Sequence, residues 1–213
     1  MTRAGSPTNG PRGPLVGLCA SSEHARTTDD ATISALVRRV EVLEAEADIR
    51  RLQARYMWLC DTPNPEYGVT GIDDRVEQIL ELFTEDAVWE GVGEYYDNQF
   101  GRMKGKEQLR AHFRRFWGDK QDPALMLNAH YLTTEQIQVH EDGVTAAGRW
   151  IHIQPWLYGD GTALVRSSRL YNGFARDDGQ WRISRVRTEN VFVAPLPTSF
   201  ATDVATTSVL MKP

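Results

Sequence analysis

The chain has few cysteines, no excess of basic residues and no long apolar run. Only two of its 213 residues are cysteines, Cys19 and Cys60, and their spacing fits neither a zinc site nor a disulfide framework. Cys60 falls inside a helical pattern and is interpreted as a buried free thiol, which favours a reducing, cytoplasmic setting. No apolar run approaches the roughly 20 residues of a membrane span, and the N-terminal apolar stretch is too short for a signal peptide.

Charge and motifs exclude further classes of protein. The formal net charge is -5, whereas a nucleic-acid-binding domain would carry a basic face. The sequence contains no glycine-rich phosphate loop, no nucleotide fingerprint and no cluster with metal-ligand spacing. We therefore expect a small-molecule substrate, no cofactor or metal, and neither a nucleic-acid nor a membrane partner.

The first part of the chain predicts an arm followed by one long helix. Residues 1–31 are rich in Gly, Pro, Ser and Thr and are predicted to form a flexible N-terminal arm. From Thr32 apolar residues recur at spacings of three and four, beginning with Ile33, Leu36, Val40 and Leu43. The rhythm slips in phase near Ala47–Ile49. The slip predicts two packing faces, an outer one for a partner subunit and an inner one for the domain.

The remaining chain has an α+β pattern. Short helices are predicted over residues 73–83 and 106–117, with a short strand at 87–91 and a turn at 101–105. Four strand-like runs follow at 127–139, 144–158, 162–175 and 181–192, separated by turns that contain Asp-Gly. This order predicts a curved antiparallel sheet wrapped around N-terminal helices, a cone-shaped α+β barrel with one deep pocket. The domain spans 32–195, and residues 196–213 form a tail.

Two residues far apart in the sequence are candidates for proton transfer. Asp61 ends the long helix, where a carboxylate opposes the helix dipole and must be stabilised by something else. His130 begins the first long strand run. A carboxylate beside an imidazole fixes its tautomer and stabilises the imidazolium that forms when the ring accepts a proton. Alternation also places Trp150, His152 and Gln154 on one face of the next strand.

Several segments together resemble the SnoaL-like branch of the NTF2-like superfamily. They are YMWLCD at the helix end, FTEDAVWEG, HYLTTEQIQV, GRW and DGQWRI, and the similarity covers residues 33–195. This branch includes scytalone dehydratase, bile-acid 7α-dehydratase and hexachlorocyclohexane dehydrochlorinase. The resemblance implies a cone-shaped fold and a catalytic Asp61–His130 dyad, with Tyr56 matching a tyrosine of the bile-acid dehydratase. Gln154 stands where that dehydratase has a second catalytic Asp, so bile-acid dehydration itself is not expected.

The other predicted substrate-binding residues lie on the following strand. Arg166 is interpreted either as the binding site of a phenolate or carboxylate or as a partner in a cross-strand salt bridge. Asn172 matches a polar residue of the relatives that is pocket-side or structural. His152, two residues before Gln154, is a possible second titratable group.

These observations predict a cofactor-independent lyase that acts on a hydrophobic aromatic or polycyclic molecule by dehydration or a deformylation-type elimination. A role in the catabolism of lignin-derived aromatics or steroids would follow. The alternatives are an isomerase, cyclase or epoxide hydrolase of the same fold, or a non-catalytic small subunit of a ring-hydroxylating dioxygenase. The resemblance also implies a homo-oligomer, with a trimer favoured over a dimer.

Overall fold

The computed structural model describes residues 20–63, 68–117 and 121–209, with side chains from Asp29 onward. The chain forms two compact units, Met1–Glu41 and Val42–Pro213. In the described ranges the helices are α1 (Ala20–Cys60), α2 (Ile72–Glu81), α3 (Glu94–Gln99), α4 (Gly105–Trp117) and α5 (Ser199–Thr207). The strands are β1 (Phe83–Val92), β2 (Arg102–Lys104), β3 (Leu125–Asn128), β4 (Tyr131–Val139), β5 (Thr145–Tyr158), β6 (Ala163–Asp177) and β7 (Gln180–Pro195).

Helix α1 begins earlier than the sequence pattern predicted. It starts at Ala20 rather than Thr32, so part of the predicted arm is helical; residues 1–19, with Cys19, lie outside the described range. The predicted change of face is present along the helix. Ile33 to Leu43 are exposed, whereas Ala45, Ile49 and Tyr56 are buried in the core of the second unit.

The sheet of the second unit is mixed, whereas the sequence predicted an antiparallel one. Its seven strands follow the order β2-β1-β7-β6-β5-β3, with β4 also paired to β5, and β1 runs parallel to β7. β1 was predicted from Ala87 only and begins at Phe83. Strands β5, β6 and β7 are long, and register shifts in the β4–β5 and β6–β7 pairs let them curl into a half-barrel, the cone-shaped α+β fold that was predicted.

Two further predictions about the fold were wrong in detail. The first strand run, predicted over residues 127–139, breaks at Ala129 and His130 into β3 and β4, and the predicted turn at 101–105 contains β2. The tail also contains a helix, α5, which packs Phe200, Ala201 and Val204 against a small cluster that includes Leu127 and Leu157. This cluster fixes the strand that leads into His130.

The main core fills the concave side of the sheet. The inner part of α1, together with α2 and α4, packs its apolar faces there against Trp150, Phe174 and Ile183 of the long strands. Within the described residues no helix is long and apolar enough to cross a membrane.

Candidate active site

A cavity of about 80 Å³, open to solvent at its mouth, lies between the helices and the concave face of the sheet in the second unit. Aromatic rings form a large part of its wall, among them those of Trp89, Phe100, Phe113, Phe116, Trp117 and Trp156. Four polar lining residues contact one another: Asn128, His130, His152 and Gln154. An apolar cavity with a few placed polar groups is typical of a site for a small organic molecule.

Asp61 is held in place by contacts to the end of α1. The Arg75 guanidinium donates from Nε to the Leu59 carbonyl at 2.6 Å and from Nη2 to the Asp61 carbonyl at 2.5 Å. This buried cation occupies the position where a helix C-terminus favours positive charge, which explains how a carboxylate can be tolerated there. Backbone hydrogen bonds of 2.8 and 2.9 Å between Thr62 and Asn128 then join the helix end to β3.

Asp61 and His130 are in direct contact. Asp61 Oδ1 lies 2.6 Å from His130 Nδ1 and also accepts the His130 backbone N–H at 2.9 Å. On the other side of the ring, Gln154 Nε2 lies 3.1 Å from His130 Nε2. Because an amide nitrogen donates and a carboxylate accepts, these contacts favour the tautomer with its proton on Nδ1 and its lone pair on Nε2. That form can accept a proton.

His152 stacks on His130, with the ring centroids 5.0 Å apart and the planes within 7°. Its Nδ1 lies 2.9 Å from Ser168 Oγ. Burial, with the charges of His130 and Arg166 as smaller causes, lowers the pKa of His152 well below its ordinary value. At neutral pH His152 is therefore neutral, which favours a hydrogen-bonding role over the second titratable group that the sequence suggested.

Tyr56 lies in the cavity wall, and its hydroxyl accepts a hydrogen bond of 2.9 Å from Trp89 Nε1. Burial raises the pKa of Tyr56 well above its ordinary value, so the phenol keeps its proton at neutral pH. The neighbouring Cys60 is a buried free thiol whose pKa burial raises to about 12. Cys60 is thus a wall residue and not a nucleophile.

Three of the residues predicted to bind substrate are absent from the lining of this cavity. Trp150 points to the same side of β5 as His152 but packs on Phe174. Asn172 donates to Gln53 at 2.9 Å inside the core. Alternation placed Trp150, His152 and Gln154 on one face of β5, and all three are buried, but the curl of the sheet decides which part of that face borders the cavity.

Arg166 is almost completely buried beside the cavity, behind Trp156. Its guanidinium lies 3.8 Å from the centre of the Trp156 ring and donates to Gln99 Oε1 at 2.8 Å and Tyr95 Oη at 3.1 Å. Among the described residues it has no salt-bridge partner, so the cross-strand salt bridge is not present.

The sequence interpretation missed three polar residues that line the cavity or contact its lining. Asn128 accepts from Gln154 and donates to the Cys60 carbonyl, and Ser168 contacts His152. His112 lies in the cavity wall on the apolar face of α4, where its ring centroid is 4.8 Å from that of Trp89. Burial lowers the pKa of His112 to about 3. Its i−3 and i+4 neighbours, Leu109 and Phe116, are apolar, and this was the available signal for an inward-facing imidazole.

The fold defines a class of protein: a cone of helices and curled sheet around a cavity lined largely by apolar side chains. The chain belongs to the family of the SnoaL-like domain, whose model matches residues 41–187. No curated protein sequence matches the chain. In the part of the chain that the structure describes, no group of three His, Cys, Asp or Glu side chains is arranged to hold a metal ion.

Solved structures share the fold at low sequence identity. A Novosphingobium aromaticivorans protein provisionally assigned as an aromatic ring hydroxylase is 22% identical, covers 72% of this chain and 94% of its own, and has a TM-score of 0.57. A type 2 hexachlorocyclohexane dehydrochlorinase is 18% identical, with coverages of 75% and 93% and a TM-score of 0.57. A provisionally assigned scytalone dehydratase from N. aromaticivorans is 14% identical, with coverages of 73% and 89% and a TM-score of 0.56.

Proposed function

We propose that this protein is a cofactor-independent lyase that acts on a hydrophobic aromatic or polycyclic small molecule. The observation that carries the proposal is the 2.6 Å contact between Asp61 and His130 at the wall of an apolar cavity. Membership in the SnoaL-like family and structural similarity to a dehydrochlorinase support an elimination reaction. The eliminated group would be water or formaldehyde, and the setting would be the catabolism of lignin-derived aromatics or steroids.

In the proposed reaction His130 Nε2 removes a proton from a carbon of the substrate. The electrons of the broken C–H bond form the new double bond, and the leaving hydroxyl departs with the electrons of its C–O bond. The imidazolium, stabilised by Asp61, then returns the proton to the leaving oxygen, so that water is formed. A single group with this tautomer serves as base and then as acid, which is why no cofactor is needed.

The other polar groups would position the substrate. Gln154 contacts His130 Nε2, so a substrate that approaches this nitrogen meets the amide as well and can hydrogen-bond to it. Tyr56 keeps its proton and can donate to a carbonyl, phenol or leaving hydroxyl. His152 stacks on His130 and is neutral, so it adds no second positive charge beside the His130 imidazolium.

The proposal is tested by incubating the purified protein with aromatic dimers, hydroxysteroids and polyketide intermediates. Mass spectrometry then measures the turnover of each compound. We expect His130→Ala and Asp61→Asn to lower kcat by about 100- to 10,000-fold with the fold intact. His140→Ala is the matched control, because His140 is exposed and contacts Thr145 outside the cavity. Near-normal turnover in both dyad variants would contradict the proposal.

An isomerase is the second candidate, because the same dyad can move a proton between two carbons of one substrate. The product masses separate the two reactions. An elimination lowers the substrate mass by that of the lost water or formaldehyde, whereas an isomerisation leaves it unchanged.

A further inference from the structure

The outer part of α1 carries an apolar stripe that is exposed to solvent. Ile33, Leu36, Val40 and Leu43 are 57%, 52%, 52% and 62% exposed. Single exposed apolar residues are ordinary, but four in one row on a helix are typical of a surface that another helix covers. The stripe does not continue to Arg50, because the Arg50 side chain forms an ion pair with Glu135 of the same chain at 2.6 Å.

The spacing of the stripe is that of a coiled coil. Its residues recur at intervals of three, four and three, so Ile33 and Val40 take the a positions and Leu36 and Leu43 take the d positions of a heptad. β-branched residues at a combined with Leu at d favour two parallel strands over three or four.

The charges beside the stripe are complementary to those of a second copy of this chain. Arg39 falls at position g and Glu44 at position e of the next heptad, the two positions that meet between parallel helices. Both side chains are exposed, and among the described residues neither forms an ion pair. In a parallel, in-register pair of identical helices, Arg39 of each chain faces Glu44 of the other.

We propose that residues 33–47 of α1 form a parallel two-stranded coiled coil with a second copy of this chain. The surface lies outside the cavity and is independent of the proposed reaction, so its loss leaves the dyad in place. In this coiled coil the second copy covers the exposed stripe of α1. The resulting assembly is a dimer, whereas the family resemblance suggested a trimer.

Sedimentation equilibrium of the full chain at several concentrations tests the assembly. We expect a species of twice the 24.1 kDa chain mass. Val40→Asp, at position a, should raise the dissociation constant at least about 100-fold. Val42→Asp is the matched control, since Val42 is also exposed but falls at position c. A monomer or trimer in the unchanged chain, or an equal effect of both variants, overturns the proposal.

Charge exchange tests the parallel orientation. Arg39→Glu and Glu44→Arg should each weaken the dimer roughly 3- to 10-fold, and the double variant should return to within roughly twofold of the original. Arg38→Glu makes the same charge change at the outward f position and should have little effect. Circular dichroism checks that all variants keep their helix content. Single variants without effect, or a double variant without recovery, would refute the parallel pairing.

Discussion

At the scale of single residues, His112 illustrates how an apolar surrounding sets the state of a polar group. Its ring lies among Trp89, Phe100 and Phe116, and none of the carboxylates in the described part of the chain affects its pKa. Burial and the nearby Arg115 both disfavour the imidazolium, which is why its pKa falls to about 3. The folded protein therefore carries a neutral imidazole in the cavity wall over the whole neutral range.

This shift predicts acid destabilisation. The unfolded chain binds a proton at His112 below pH ~6.5, whereas the folded chain does so only near pH 3. Between these values the unfolded state holds more protons, so the free energy of unfolding falls as the pH falls. At a pH of about 4.5 the loss from this residue is about 2–3 kcal/mol.

Urea unfolding of His112→Phe at neutral and acidic pH measures that contribution. A phenylalanine ring can pack in the aromatic cluster in place of the imidazole. The free energy of unfolding of His112→Phe should therefore fall less on acidification than that of the unchanged chain. His140→Phe, on the exposed turn, should retain the original pH dependence. An identical acid response in the chain with and without His112 would show that this imidazole is not the cause.

At the scale of elements, the junction between α1 and α2 places the dyad. Arg75 of α2 binds two carbonyls at the end of α1, and its guanidinium lies 4.7 Å from the centre of the Trp117 ring. One side chain thus links the end of α1, just before Asp61, with α2 and with the aromatic wall of the cavity.

Replacing Arg75 with Met should therefore affect both stability and turnover. The buried Leu59 carbonyl and the part-buried Asp61 carbonyl lose their donors, at a cost of about 2–4 kcal/mol in the free energy of unfolding. A carboxylate displaced by even ~1 Å should also lower kcat by up to about 100-fold. Arg75→Lys keeps the charge at the helix end without the paired donors. Its stability and its kcat should lie between those of the unchanged chain and those of Arg75→Met. Full turnover in a folded Arg75→Met protein would mean that Asp61 is positioned by other contacts.

At the scale of the whole molecule, the sequence predicted the elements better than their arrangement. Helical spacing, Asp-Gly turns and strand alternation are local properties, and they predicted most helices and the long strands. The contact between Asp61 and His130 joins segments 69 positions apart, and only the family resemblance pointed to it. The parallel pairing of β1 with β7 joins strands far apart in the sequence, so no local pattern encodes it. The exclusion of Trp150 and Asn172 from the cavity follows from the curl of the sheet, which is likewise not a local property.

The boundary between the two compact units coincides with the start of the family match. The second unit begins at Val42 and the SnoaL-like model at residue 41. None of the described residues from Asp29 to Leu43 is buried, and the core contributed by α1 begins at Ala45. All residues of the dyad and of the cavity wall belong to the second unit.

A chain that starts at Val42 should consequently fold and keep the site. Because the deletion removes no described buried side chain, we expect cooperative urea unfolding within about 1 kcal/mol of the full-length monomer. Turnover per chain should be unchanged, and His130→Ala should abolish it in the shortened chain as in the full one. The shortened protein should be monomeric, because the first heptad of the exposed stripe is missing. Loss of cooperative unfolding after this deletion would show that residues 1–41 stabilise the second unit rather than serve assembly alone.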